Sequence, residues 1–190
     1  RQVNASRLPP HIKQKAIEVF DRLEQAEGRA HRRNDDIHDS PLDELGTLDT
    51  LIDVVGVIAG LNLLGLQKLY SSPFPTGSGL SRSAHGPLPA AAPATMEIIA
   101  MSNASVTTPS PSITGELVTP TGAALITTLA EFQEPSLQLE RIGYGLGTRD
   151  PEGIPNGLAL WIGKQENNRT HETVLLLETN IDDMNPQLFG

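Results

Sequence analysis

Thr119-Pro-Thr-Gly-Ala-Ala-Leu-Ile-Thr-Thr-Leu-Ala130, followed after a short polar connection by Leu137-Gln-Leu-Glu-Arg-Ile142, sets a helix directly ahead of a strand. Thr119 suits the N-cap, because its hydroxyl can accept from an otherwise unpaired N–H of the first turn. Pro120 suits the first helical position, where its missing N–H costs nothing. Ala123, Leu125, Ile126 and Leu129 supply the apolar surface. The same mixture of helical and strand-like stretches recurs along the chain, so an α/β class is expected, with α+β as the alternative.

Towards the amino terminus, Pro9-Pro10 precedes Ile12, Ala16, Val19, Phe20, Leu23, Ala26 and Ala30, spaced as one helical stripe. After a polar segment, Leu48, Leu51, Ile52, Val55, Ile58 and Ala59 recur at helical spacing. Val54, Val57 and Leu61 add apolar surface on other sides, so this second helix is expected to be mostly buried. Lys68 to Ser72 reads as a strand ended by Pro73 and Pro75. Residues 73 to 93, dense in Gly, Pro and Ser, read as a binding loop without regular elements. A short helix is expected from Pro93 to Ala100, and a surface excursion from Ser102 to Thr114.

Towards the carboxyl terminus, strands at Leu137 to Ile142 and Leu158 to Ile162 flank the turn Gly143-Tyr-Gly-Leu-Gly147, and Val174 to Thr179 forms a last strand. The expected division is a main domain over 1–163, a linker over 164–172, and the start of a second domain over 173–190.

The chain has 190 residues and no cysteine, so a metal must be held by imidazole, carboxylate or backbone oxygen. Its net charge of −9 repels a phosphate backbone, which argues against nucleic acid as a partner. No apolar run is long enough to span a bilayer and no secretory signal is visible near Arg1, so a cytoplasmic location is the default expectation. No Gly-x-Ser-x-Gly frame, Walker loop or dinucleotide fingerprint appears.

Four patterns carry chemistry. Asp49 and Asp53, four apart, share a helix face that continues to Gly56 and Gly60, with Glu44 just upstream. They read either as metal ligands or as carboxylates favouring a positive helix end. The run Ser72-Pro-Phe-Pro-Thr-Gly-Ser-Gly79 with Arg82 and Ala84-His85-Gly86 offers backbone N–H groups and two donors to an anion. Thr119, Thr121 and Gly122 open a helix whose dipole favours the same ligand. Structural turns and ordinary helix starts use the same residues. Asn180-Ile-Asp182-Asp183, after an apolar strand, places two carboxylates where Mg²⁺ or Mn²⁺ with a nucleotide could sit.

Taken in order, Asp43-Glu44-Leu-Gly-Thr-Leu-Asp49, Ser72 to Gly79, Ala84-His85-Gly86-Pro-Leu-Pro89, Gly115-Glu-Leu-Val-Thr-Pro-Thr-Gly122, Gly143-Tyr-Gly-Leu-Gly-Thr-Arg-Asp150 and Glu178-Thr-Asn-Ile-Asp-Asp-Met184 resemble the LarC-type nickel-insertion proteins. The resemblance runs along nearly the whole chain. It implies a nickel chelatase, a lyase-type enzyme, that inserts nickel into pyridinium-3,5-bisthiocarboxylic acid mononucleotide. The product is the nickel-pincer nucleotide cofactor of lactate racemase, whose apoprotein becomes an implied partner.

The family's reaction consumes CTP with Mn²⁺ or Mg²⁺, so the resemblance puts Asp182 and Asp183 near that ion, in a domain beginning at Val174. It also implies that a glycine-rich amino-terminal segment would precede Arg1 and that this stretch alone is inactive. Members carry His-x-His-Glu where this chain reads Pro41-Leu42-Asp43-Glu44. The expected nickel set is therefore Asp43, Glu44, Asp49 and Asp53, with His38 nearby. The alternatives are a nickel-carrying chaperone and a structural oligomerisation module. A homo-oligomer without membrane contact is expected.

Overall fold

The computed structural model describes residues 2–33, 47–83, 86–89, 91–107, 115–147, 157–165 and 172–179. After a short α1 (Gln2–Ala5), α2 (Pro10–Arg33) forms the spine of a helical layer with α3 (Leu48–Leu63), α4 (Pro93–Ser102) and α5 (Pro120–Leu129). The stripe Ile12, Ala16, Val19, Leu23, Ala26 and Ala30 is buried, as the spacing implies. Small residues at 16, 26 and 30 let the other helices come close. Arg22 ties three of them together, donating to the Ser102 hydroxyl at 2.8 Å and the Thr127 carbonyl at 2.7 Å.

The second helix departs from expectation. Thr50, Val54 and Ile58 are buried, while Leu48 and Ile52, assigned to the inward stripe, are 69% and 59% exposed. Val57 is exposed as well, and Gly56 and Gly60 face open space. The reason is geometric: α3 packs on α2 and α5 with one side only. An apolar sequence supplies several stripes, and the neighbours present choose one.

The sheet has the order β1-β8-β7-β6, from β1 (Lys68–Ser71), β6 (Leu137–Leu146), β7 (Gly157–Gln165) and β8 (Glu172–Thr179). β1 runs parallel to β8, and β8-β7-β6 is antiparallel throughout. Leu69, Leu160 and Ile162 pack with Leu61 of α3 and Ile126 and Leu129 of α5, so one sheet face sits on the helical layer. This mixed, layered arrangement is α/β. β8 lies between β1 and β7 in this sheet.

Two further stretches are more regular than their composition suggests. The Gly/Pro/Ser-rich residues 73 to 93 contain β2 (Phe74–Pro75), which pairs in parallel with β5 (Val106–Thr107), and a hairpin of β3 (Leu80–Ser83) with β4 (Gly86–Pro89). β6 continues through Gly143-Tyr-Gly-Leu146, where a turn was expected. The ladder with β7 satisfies those backbone groups, which offsets the entropy that glycine loses in a strand.

Candidate functional site

α3 begins at Thr47, whose side chain accepts from the Thr50 N–H at 3.2 Å and so fixes the helix start. Asp49 lies in the first turn and Asp53 one turn later; both are exposed, on the side that continues to the open Gly56 and Gly60. The aspartates thus share a solvent-facing side on which Gly56 and Gly60 follow, with the exposed Val57 beside them. Among the described residues no three His, Asp or Glu groups converge as a metal site. Asp49 and Asp53 supply two oxygen donors. His38, Asp43 and Glu44 lie outside the described residues, as do His85, Asp182 and Asp183.

The second group of candidates starts at β2, anchored by Phe74. Its N–H donates to the Ser105 carbonyl at 2.9 Å, and its ring lies 5.2 Å from that of Phe132. Thr76 donates its hydroxyl to the Thr107 carbonyl at 3.0 Å. The chain then passes Gly77 and turns at Gly79, whose φ of +80° suits glycine, into the hairpin. Arg82 stands opposite Pro87 in the hairpin, next to its tip, and its side chain lies outside the description.

Two bonds bring this loop and α5 into one neighbourhood. The Gly115 N–H donates to the Ser78 carbonyl at 3.0 Å, and the buried Thr95 hydroxyl of α4 donates to the Val118 carbonyl at 3.3 Å. Thr119 follows directly as N-cap of α5 and accepts from the Gly122 N–H at 3.2 Å. That cap is Gly122's local role, since a Cβ there would sit 3.3 Å from the Thr119 hydroxyl oxygen. Pro120 has no N–H and Ala123 donates to the Thr119 carbonyl, so Thr121 is the early donor at this helix end with no partner shown among the described residues.

Sequence reasoning overlooked Glu97. It lies on the inner side of α4, 6% exposed and engaged in an interaction, one turn beyond the loop. Its only signal was a carboxylate in an otherwise uncharged short helix. An open depression of about 440 Å³ runs along α2, lined by Asp21, Glu24, Gln25, Gly28 and Arg29, and none of the candidate residues lines it. No described helix is long and apolar enough to cross a membrane.

A family model described as nickel insertion protein matches residues 1–190. A protein of Desulfitobacterium hafniense DCB-2 named "Pyridinium-3,5-bisthiocarboxylic acid mononucleotide nickel insertion protein" is 41% identical over 196 residues, covering 98% of this chain and 47% of its own length. One of Dictyoglomus thermophilum named "Putative nickel insertion protein" is 43% identical over 191 residues, covering 99% of this chain and 47% of its own. Another with that name, from Thermomicrobium roseum, is 44% identical over 192 residues, covering 97% and 45%. The chain spans about half the length of these relatives. No solved structure matches it.

Proposed function

The chain belongs to the nickel insertion protein family, and from that premise we propose that it supplies the metal-delivering part of a CTP-dependent nickel chelatase. The substrate is the pyridinium-3,5-bisthiocarboxylic acid mononucleotide that two of its relatives are named for. The product is the nickel-pincer cofactor used by lactate racemase.

The observation that carries the proposal is the exposed pair Asp49 and Asp53 on the solvent-facing side of α3, in a chain without cysteine. Oxygen donors hold Ni²⁺ less firmly than sulfur donors, so passing the ion from carboxylates to the two thiocarboxylates is downhill. A chain without thiolates does not compete with its substrate for the metal. His38, Asp43 and Glu44 complete the delivering set in this reading. The loop with Gly77, Gly79, Arg82 and His85, tied to the approach to Thr119, Thr121 and Gly122, receives the anionic mononucleotide against a net charge of −9. Asp182 and Asp183 hold the Mn²⁺ or Mg²⁺ that accompanies CTP.

The test is CTP-dependent nickel incorporation by the full-length protein, compared with Asp49→Asn and Asp53→Asn. Incorporation falling at least tenfold while CTP binding is retained supports the reading. Stoichiometric nickel binding with no CTP dependence would make the protein a chaperone, and unchanged incorporation in both variants would remove the aspartates from the route.

A further inference from the structure

The two edges of the sheet end differently. Beyond β1, Glu131 continues the hydrogen bonding: its N–H donates to the Leu69 carbonyl at 2.9 Å and its carbonyl accepts from the Ser71 N–H at 3.0 Å. Beyond β6, no described residue pairs with the strand. β6 is ten residues long, and Leu139, Ile142, Tyr144 and Leu146 are 45%, 51%, 72% and 79% exposed. A long apolar edge is a template for another strand unless something blunts it.

The register explains why those side chains form one row. Leu139 stands opposite Gly163 and Arg141 opposite Ile162, so Glu140 is an extra residue, a bulge. Residues opposite each other share a face, and Gly163, Trp161, Ala159 and Gly157 alternate onto one face of β7. Their partners Leu139, Ile142, Tyr144 and Leu146 therefore share it too, because the bulge shifts the alternation by one residue. Gly163 permits this: a Cβ there would run into the Gln138 carbonyl and lie 3.1 Å from the Leu139 Cα.

A bulge spoils pairing with a regular strand, because one side then has a residue too many. A second copy of β6 running antiparallel carries the same extra residue. With a two-fold axis between Glu140 and Arg141, Glu140 meets Arg141 of the second copy, Leu139 meets Ile142, Gln138 meets Gly143 and Leu137 meets Tyr144. Apolar residues then face apolar ones, and opposite charges face each other. Glu140 already pairs with Lys164 at 2.8 Å, while Arg141 is exposed and has no ion pair among the described residues. The second copy's Glu140 would supply one.

We propose that this chain forms a two-fold dimer through antiparallel pairing of β6 with β6 of a second copy, in the register that sets Glu140 against Arg141. The contact is isologous, so it closes at two copies. The sheet becomes continuous across the pair, and the bulge that deters other strands selects this one.

Light scattering on the 190-residue chain tests the state, with a mass twice 20.4 kDa expected at about 10–100 µM, the range for a micromolar contact. R141E sets two acidic side chains against each other and E140R two basic ones, so each is expected to weaken self-association at least tenfold. Mixing the two variants restores opposite charges at both contacts and should restore a dimer, which a merely misfolded variant cannot do.

Because the chain has no cysteine, the register is also directly readable. Gln138→Cys with Gly143→Cys should form disulfides between chains under mild oxidation, and neither single substitution should. A Cβ at Gly143 meets nothing within 4 Å. A monomer at every concentration overturns the proposal. So does a dimer that ignores both charge reversals and forms no cross-link, because its interface lies elsewhere and some other partner covers β6.

Discussion

The N–H of Gly115 donates to the carbonyl of Ser78 at 3.0 Å, joining the loop that enters the β3–β4 hairpin to the segment that enters α5. One backbone bond thus sets the spacing of two candidate anion-binding elements separated in sequence by α4. Gly115 has a φ of +97°, a conformation that costs residues with a Cβ about 1–2 kcal/mol. Gly115→Ala is expected to lower stability by about that amount and to weaken mononucleotide binding in the full-length protein. Thermal unfolding and titration calorimetry separate the effects. Binding unchanged in a destabilised variant would free the substrate site from this tether.

Asp49 and Asp53 are predicted to act as a pair. Asp49→Asn and Asp53→Asn should each reduce nickel affinity, and the double variant should lose less than the sum, because a chelate is already broken by the first change. Asp49 also favours the positive end of α3, so its replacement should cost about 0.3–1 kcal/mol of stability. Asp53, a turn further along, should cost less. Nickel calorimetry and urea unfolding on the same samples distinguish metal affinity from helix stability.

Arg22 joins α2 to α4 and α5 through the Ser102 hydroxyl and the Thr127 carbonyl. Arg22→Met keeps most of the stem and removes both charge-assisted bonds, at an expected cost of about 2–4 kcal/mol in urea unfolding. Both bonds come from one nitrogen, Nη1, and a lysine ammonium can also donate twice from a single nitrogen, so Arg22→Lys should recover part of this, limited by its shorter reach and different donor directions.

Glycines in this chain should divide by what surrounds them. Gly163→Ala drives a methyl group into the Gln138 backbone, and an expected loss of about 1–3 kcal/mol follows, with disturbed β6–β7 pairing. Gly56→Ala meets nothing within 4 Å in a helix interior and should stabilise by about 0.5–1 kcal/mol. Opposite signs in thermal unfolding are the check.

The Lys15 ammonium, donating to Glu18 at 2.7 Å, holds that carboxyl below its ordinary value. A lowered carboxylate adds stability above the unfolded value of 4.5 and loses it as pH falls through the native one. Both side chains are well exposed, so Glu18→Gln should cost under about 1 kcal/mol at neutral pH, and less in high salt. The difference from the parent chain should vanish in acid.

Local chemistry was legible wherever one element's own residues suffice. The Ile12-to-Ala30 stripe, the Thr119 cap with Pro120 behind it, and the strand at Lys68 all follow from spacing and capping, because an amphipathic period or a cap is a property of neighbours in sequence. The candidate site was legible as residue types. Asp49 and Asp53 do lie along one exposed side, whereas the Ser78–Gly115 bond and the burial of Glu97 depend on contacts that no local pattern announces.

By itself, then, the sequence determined that α2 must bury one stripe, that no thiolate holds metal, and that the motifs belong to nickel insertion proteins. Only the tertiary structure decided which side of α3 is covered, because several of its sides are apolar and the packing of α2 and α5 selects one. It also decided that Gly143 to Leu146 extends β6 and that a hairpin forms in the Gly/Pro-rich loop. Glycine disfavours a strand in isolation, and that deficit is reversed by ladder bonds to a partner. For β6 the partner is β7, whose location is set by the fold of the rest of the chain.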